Sequence, residues 1–292
     1  MTREEMIIEA QKMRKPRTRE IIGEHDFDAV TTCEETYIET EMGKSHVYII
    51  RPKDGEGRKP AFLNLHGGGF IRPHGARDIS FCREIAYLTN SVAFSLDYRL
   101  APEYPYPVAI DEEEAVLRYM AKHAEELGIL EDKIALVGQS SGGNNAAVLA
   151  MRLKNDPEIK LSCCICTYFP TDISVDAAEK TPDLDQRRLE MSRLYNDSYV
   201  EAGEQRKNPE VSPLYATPEM LSGMPRMILM PAAKDDLFAE DMAYAKHLGE
   251  AGVVVEVKVF ANSNHGFVIN QNGEWRKGRA FIAYKLLEVF EQ

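Results

Sequence analysis

Hydrophobic and polar positions along the chain follow two different periods, which predict alternating strands and helices. Short, mostly apolar runs recur from about residue 45 onward, and polar segments separate them. Such runs are typical of strands that a sheet buries on both faces. Together with a polar segment that could pair as an antiparallel first strand, they predict eight strands, over residues 31–40, 45–50, 61–65, 92–96, 133–137, 163–168, 227–231 and 253–260.

Helical spacing occurs between these strands. Residues 111–126 place apolar side chains three and four positions apart, as one face of an amphipathic helix requires. The same spacing recurs over residues 146–153, 242–248 and 280–290. Strands that alternate with helices are typical of an α/β fold, in which helices cover both faces of a mostly parallel sheet. We therefore predict one domain spanning residues 1–292.

Two stretches do not fit this alternation, residues 1–25 and the charge-rich segment 172–208. Apolar residues such as Leu189, Leu194 and Tyr199 indicate helix in the second stretch. This stretch interrupts the pattern between the sixth and seventh strands. We predict that both stretches form a small helical cap on the domain, and we refer to them as the cap segments.

The chain is acidic, with a formal net charge of -12 and a pI near 5.2. This charge opposes binding to nucleic acid or to an anionic membrane through a general positive field. The one basic cluster, residues 12–19, is flanked by glutamates and is interpreted as a solvated helix face. The first residues lack the apolar core of a secretory signal, and no segment approaches the length of a membrane span. We therefore expect a cytoplasmic protein without stable membrane insertion.

The five cysteines are odd in number, and Cys163, Cys164 and Cys166 lie together in one apolar run. We interpret them as reduced thiols of a buried strand. A zinc site needs two spaced Cys or Cys/His pairs, and the cysteines of this apolar run have no second pair to complete one, so no metal site is predicted.

A candidate nucleophile stands at the centre of Gly138-Gln139-Ser140-Ser141-Gly142, which matches G-x-S-x-G. The motif follows a predicted strand and precedes a predicted helix. A sharp turn at that place forces its central residue into a strained conformation, and flanking glycines remove side chains that would clash. If Ser140 only capped the helix, glycines at 138, 142 and 143 together would have no purpose. We therefore predict that Ser140 is an exposed nucleophile.

A second motif, His66-Gly67-Gly68-Gly69-Phe70, directly follows another predicted strand. Consecutive glycines let backbone N–H groups approach a ligand closely, which is how a site for a tetrahedral oxyanion is built. A merely flexible turn is the alternative. An HGGG element is the partner of the nucleophile turn in lipases and esterases, so the two motifs together are far more specific than either alone.

With Asp97-Tyr98-Arg99-Leu100-Ala101-Pro102-Glu103 added, the chain resembles the hormone-sensitive-lipase-like family of carboxylesterases, from about residue 45 to the C-terminus. The resemblance is weakest in the cap segments. It implies the α/β-hydrolase fold, small ester substrates of short to medium acyl length and no cofactor. It also implies an oxyanion hole at the N–H groups of Gly68, Gly69 and Ser141, with Gly67 shaping the turn or sharing the role. A homodimer through the edge strand 253–260 is a further implication.

The chain departs from the family's usual GDSAGG at two positions, since Gln139 replaces aspartate and Ser141 replaces alanine. Ser141 still offers its N–H group, so the hole is expected to survive. Gln139 removes a carboxylate beside the nucleophile, and with it any ion pair that this carboxylate makes. His66 and the residues from Asp97 to Glu103 are expected to act as scaffolding for the glycine loop.

A serine nucleophile needs a base, and the base needs an acid that fixes its tautomer. In this fold the order is Ser, then Asp or Glu, then His. His265 follows the last predicted strand, whereas His247 falls within a helix pattern. Asp235 takes the position of the family's acid, and Asp236 directly beside it is the alternative, with helix capping or solvated charge as its other role. We predict a triad of Ser140, Asp235 and His265.

These motifs predict a serine carboxylesterase that works through an acyl-enzyme on Ser140. The same machinery could hydrolyse another acyl bond, such as an amide, an acetylated sugar or a lactone. A non-catalytic ligand receptor is the alternative from a different class, because the gibberellin receptors resemble this same family. Such receptors lack the catalytic histidine, and His265 is present here.

Overall fold

The computed structural model describes residues 1–14 and 27–291. One eight-stranded sheet, in the order β1-β2-β4-β3-β5-β6-β7-β8, is present in these residues. β2 pairs antiparallel with β1 and β4, and all later neighbours pair in parallel. The strands are β1 (Thr31–Thr40), β2 (Gly43–Pro52), β3 (Lys59–Leu65), β4 (Val92–Asp97), β5 (Ile129–Gln139), β6 (Leu161–Thr167), β7 (Met227–Met230) and β8 (Val255–Val257).

Helices connect the strands and cover the sheet. They are α1 (Arg3–Met13), α2 (Phe27–Val30), α3 (Ala76–Thr89), α4 (Val108–Lys122), α5 (Ser141–Leu153), α6 (Ala177–Lys180), α7 (Gln186–Tyr199), α8 (Pro218–Leu221), α9 (Phe238–Glu250), α10 (Phe267–Asn270) and α11 (Trp275–Phe290), with short 3₁₀ helices at Glu204–Lys207 and Pro213–Tyr215. No helix in the described ranges combines the length and the apolarity that crossing a membrane requires.

Two apolar clusters lie on opposite faces of the sheet. Helices α4, α5 and α9 pack on one face, and α3, α10 and α11 pack on the other. Neighbouring strand residues point to opposite clusters, as Leu136 and Ala135 of β5 do. Because both faces are covered, the central strands are apolar at nearly every position. The predicted α/β-hydrolase architecture is therefore confirmed.

The predicted strand bounds differ most in β5, which spans Ile129–Gln139 rather than 133–137, and at the sheet edge. The sequence predicted a strand over 253–260, but β8 comprises only Val255–Val257, and Phe260 forms an isolated bridge with Ala232. β8 is short because its neighbour β7 has only four residues with which it can pair. Helix α3 was not among the predicted elements. Its buried Cys82, Ile85 and Ala86 do follow helical spacing.

A third apolar cluster joins the cap segments to the loops above the sheet. It includes Ala10 of α1, Leu194 and Tyr199 of α7, and Phe70 beside the glycine motif. The rings of Phe70 and Tyr199 stack with their centroids 3.7 Å apart. Within the first cap segment, residues 15–25 lie outside the described residues. In the described part of the cap segments, α1 and α7 pack against each other near the end of β3.

Candidate active site

Ser140 occupies a sharp turn between β5 and α5. Its backbone has φ 53° and ψ -123°, a region that non-glycine residues rarely adopt, and its N–H donates to the carbonyl of Thr167 at 3.0 Å. A Cβ atom at Gly142 would lie 2.0 Å from the carbonyl oxygen of Leu65, so only glycine fits there. The Ser140 side chain makes no hydrogen bond that caps the helix. The turn presents the hydroxyl away from the helix and towards a cavity.

His265 and Asp235 reach Ser140 from two separate loops. The Ser140 Oγ lies 2.9 Å from His265 Nε2, and His265 Nδ1 lies 2.7 Å from Asp235 Oδ2. Asp235 follows β7 and His265 follows β8, so both come from the carboxyl ends of parallel strands, where open α/β sheets bind ligands. The structure thus brings the three predicted triad residues together in the predicted order.

The neighbouring carboxylate, Asp236, takes a different partner. It forms an ion pair with Arg188 of α7, whereas Asp235 is the carboxylate hydrogen-bonded to His265 Nδ1. The Asp235 side chain is fully buried, whereas that of Asp236 is 15% exposed. Of the two adjacent acids, the geometry therefore favours Asp235 as the partner of the imidazole.

Charge and burial act in opposite directions on this pair. Burial alone would raise the pKa of Asp235, but the positive charge and hydrogen bond of His265 hold that pKa below its usual value. Burial alone would lower the pKa of His265, but the carboxylate of Asp235 raises it above 6.5. By contrast, burial raises the pKa of Asp236, and its hydrogen bond with Asp235 adds to that increase. Asp235 is thus the carboxylate that stays ionised beside the imidazole.

The glycine motif lies directly against the nucleophile. A Cβ atom at Gly67 would be 3.1 Å from the Cβ of Ser140. Among the residues that the structure describes, the N–H groups of Gly68 and Gly69 donate no hydrogen bond. Ser141 is the first residue of α5, so its N–H has no acceptor within the helix. Three free backbone donors consequently stand beside the serine hydroxyl, as an oxyanion site requires.

The residues from Asp97 to Glu103 hold this loop in place. The Tyr98 hydroxyl donates to the carbonyl of His66 at 2.8 Å, and the Ala101 N–H donates to the carbonyl of Phe70 at 3.0 Å. Glu103 accepts two hydrogen bonds of 2.7 Å from Arg14, just beyond α1. The positions of these residues agree with the scaffolding role that the sequence predicted.

Gln139 replaces the expected ion pair with uncharged hydrogen bonds. Its Nε2 donates to Asn64 Oδ1 at 2.9 Å, Asn64 donates to the Ser95 hydroxyl at 3.0 Å, and His74 Nε2 lies 2.8 Å from the same hydroxyl. Burial lowers the pKa of His74, so its imidazole is neutral near pH 7. The strand end beneath the nucleophile is therefore supported without charge.

A cavity of about 620 Å³ opens over Ser140. It is lined by the loops that carry Ser140 and His265, by the glycine motif, by Met13 and Arg14 at the end of α1, and by residues of α7. The volume lies within the range of about 300–1,000 Å³ that is usual for small-molecule sites. The arrangement presents a bound small molecule to a serine, an imidazole and three backbone donors at once.

Sequence reasoning missed the arginines that line this cavity. Arg188 pairs with Asp236 across 48 positions of the chain, and Arg14 pairs with Glu103 across 89. Arg72 follows the glycine motif closely and was not singled out. Only its position, three residues after Gly69, could have indicated that it lies at the site.

A nucleophile turn, an imidazole and carboxylate behind it, and a glycine loop beside it define an α/β-hydrolase of the serine type. The family described as alpha/beta hydrolase fold matches residues 62–269, which is more than half of the chain. The chain therefore belongs to the α/β-hydrolase family, in the hormone-sensitive-lipase-like group of carboxylesterases, as the sequence motifs predicted.

Individual relatives show the same class. The chain is 32% identical over 79% of its length to an AB hydrolase superfamily protein of Schizosaccharomyces pombe, and 31% identical over 72% to the esterase LipI of Mycobacterium tuberculosis. These alignments span 70% and 66% of the two relatives' own lengths. The crystal structure of the thermophilic carboxylesterase EstE1, from a metagenomic library, has a TM-score of 0.82 and 26% identity, covering 99% of this chain and 98% of that one.

Proposed function

We propose that the protein is a serine carboxylesterase that hydrolyses esters of short to medium acyl chains through an acyl-enzyme on Ser140. The observation that carries the proposal is the unbroken hydrogen-bond chain from the Ser140 hydroxyl through His265 to the buried Asp235. This is the arrangement by which a base activates a serine and an acid fixes the tautomer of the base.

The reaction runs in two acyl transfers. His265 Nε2 takes the proton of the Ser140 hydroxyl as its oxygen bonds to the ester carbonyl carbon, and the carbonyl oxygen becomes an oxyanion. The N–H groups of Gly68, Gly69 and Ser141 stabilise this charge, and Gly67 shapes the turn. The imidazolium then protonates the departing alcohol. Water repeats the sequence on the acyl-enzyme, which releases the carboxylic acid and restores the serine.

The glycine loop yields a mutational prediction. Gly69 has φ 61°, and a Cβ atom there would lie 2.3 Å from the ring of Tyr195. Gly69→Ala should therefore displace the loop or α7 and lower kcat/KM for a butyrate ester by about 100-fold, the usual loss when one oxyanion donor is removed. Gly57→Ala is the control, because Gly57 also has positive φ but no atom within 4 Å of its added Cβ. Equal losses in the two variants would contradict the role of Gly69.

A chemical label and a substrate panel test the proposal itself. A fluorophosphonate should react with Ser140 at one equivalent per chain and abolish hydrolysis of 4-nitrophenyl butyrate. Comparing esters with anilides, acetylated sugars and lactones then separates an esterase from a hydrolase of another acyl bond. Failure of Ser140 to react with the fluorophosphonate, together with no turnover of any of these substrates, would favour the non-catalytic receptor.

The pH dependence of the reaction follows from His265. The base must be neutral, and Asp235 raises the pKa of His265 above 6.5, so kcat/KM should fall as the pH decreases through a midpoint above 6.5. Asp235 itself stays ionised there, because its pKa is lowered. Asp235→Asn removes the raising charge and should move the midpoint of the residual activity to lower pH. A pH profile of kcat/KM measures both midpoints, and an unmoved midpoint in the variant would contradict this coupling.

We also propose that the two cap segments cover the site. The support is that α1 and α7 pack together in the third apolar cluster and that residues near both line the cavity. A homodimer through the edge strand is a further proposal, supported by the position of β8 at the end of the sheet and by the exposure of Val254 and Val259. Sedimentation that shows only monomer at high concentration would refute the dimer.

A further inference from the structure

The cavity above Ser140 contains a guanidinium group that lacks an acidic partner. Arg72 lines the cavity, and within residues 1–14 and 27–291 it forms no ion pair. Its Nε is buried without a hydrogen-bond partner, and its Nη2 points at the thioether of Met191 at 3.6 Å. A thioether is a weak acceptor, whereas a guanidinium carries five strong donors.

The other charged side chains of the cavity are engaged. Arg14 donates to Glu103 and to two carbonyl groups, and Arg188 is paired with Asp236. The remaining carboxylate, Asp78, accepts the N–H of Gly75 at 2.9 Å. Arg77 donates to the side chain of Asn270. Arg72 thus stands out, because its buried Nε has no hydrogen-bond partner and its Nη2 has only a thioether, and a buried donor without a partner costs free energy unless a ligand satisfies it.

The position of Arg72 relates it to the reacting bond. Its N–H donates to the carbonyl of Gly68 at 3.1 Å, so its backbone is fixed to the glycine loop. Its guanidinium carbon lies 5.9 Å from the ring centroid of Tyr195, and that ring covers Gly69. The guanidinium therefore lies near Tyr195 of α7 and lines the same cavity as Ser140, so that a substituent on a bound ester can be directed towards it.

We propose that Arg72 recognises a carboxylate on the substrate, so that the preferred esters are half-esters of dicarboxylic acids or esters of hydroxy acids. This inference rests on the proposed esterase function. A carboxylate can accept two parallel hydrogen bonds from a guanidinium. Neither Met191 nor Tyr195 offers such a pair of acceptors. Because the net charge of -12 opposes the approach of an anionic substrate, a cation inside the cavity would favour its binding.

Matched ester pairs test the assignment. The acyl side is examined with the mono-4-nitrophenyl ester of glutaric acid against 4-nitrophenyl pentanoate, and the alcohol side with 4-acetoxybenzoate against phenyl acetate, after correction for spontaneous hydrolysis. In at least one pair the anionic ester should have the higher kcat/KM. Arg72→Gln should lower the anionic-to-neutral ratio in that pair by about 10- to 100-fold, mainly through KM, and Arg72→Lys should restore part of it.

Control variants separate a failure of the inference about Arg72 from a failure of the proposed function. Arg193→Gln removes an arginine of α7 that pairs with Asp176 outside the cavity, and it should leave the ratio unchanged. If Arg72 only packs against Tyr195, then Arg72→Gln lowers both esters of a pair equally, which overturns the inference. An unchanged ratio overturns it too. Fluorophosphonate labelling verifies that each variant is folded, and a wild-type protein that hydrolyses no ester would instead refute the proposed function.

Discussion

Ser140→Ala is expected to lower kcat for 4-nitrophenyl acetate or butyrate by about a millionfold, to the level left by binding and the oxyanion donors alone. The hydroxyl is the atom that bonds to the acyl carbon, and no other hydroxyl is placed 2.9 Å from His265 Nε2 in the described residues. The loss should appear in kcat with little change in substrate binding, since the alanine removes only the reacting oxygen.

The comparison needs a serine that lies outside the site. Ser222, at the end of α8, is exposed, and Ser222→Ala should retain wild-type kinetics. Circular dichroism and a thermal melt establish that Ser140→Ala is folded. Turnover within about tenfold of the wild type would rule out Ser140 as the nucleophile, and with it the acyl-enzyme.

Asp235→Asn is expected to reduce kcat by about 10⁴-fold, because an amide at this position favours the wrong tautomer of the imidazole. Asp236→Asn, one residue further on, should cost less than about tenfold. Its carboxylate contacts Arg188 rather than His265 Nδ1, and removing it disturbs a partly exposed ion pair. The two substitutions are chemically identical and adjacent, so each serves as the control for the other.

Steady-state kinetics on one ester measures both variants. A larger loss in Asp236→Asn than in Asp235→Asn would reverse the assignment of the acid. Comparable losses would mean that the two carboxylates act as one unit through the hydrogen bond between them, and would contradict the assignment of the acid to Asp235 alone.

The sequence could predict the sheet because its central strands are buried on both faces. Runs such as 163–168 are apolar at nearly every position, which is typical of a strand that helices cover on both faces of the sheet. The edge strand was overestimated for the converse reason, since an apolar run such as 253–260 does not reveal how long its partner is. The ends of such a strand depend on the length of the strand beside it, which only the three-dimensional structure shows.

The same distinction holds at the site. Ser140 and the glycine loop carry local patterns, because a strained turn and a backbone donor site need glycine at fixed positions. Asp235 and Asp236 are adjacent and chemically equivalent, so no local pattern separates them. Their difference comes from Arg188, which approaches Asp236 from a helix far along the chain. The buried Nε of Arg72, which has no hydrogen-bond partner, is likewise a property of packing.

The uncharged supports beneath Ser140 determine how the site responds to ionic strength. Hydrogen bonds among Gln139, Asn64 and Ser95 are buried and carry no net charge, so dissolved salt has little effect on them. The contacts that attach the residues near α1 and α7 beside the cavity include partly exposed ion pairs of Arg14 and Arg188, which counterions weaken. Concentrated salt should therefore weaken the attachment of α1 and α7 beside the cavity, whereas the hydrogen bonds beneath Ser140 should change little.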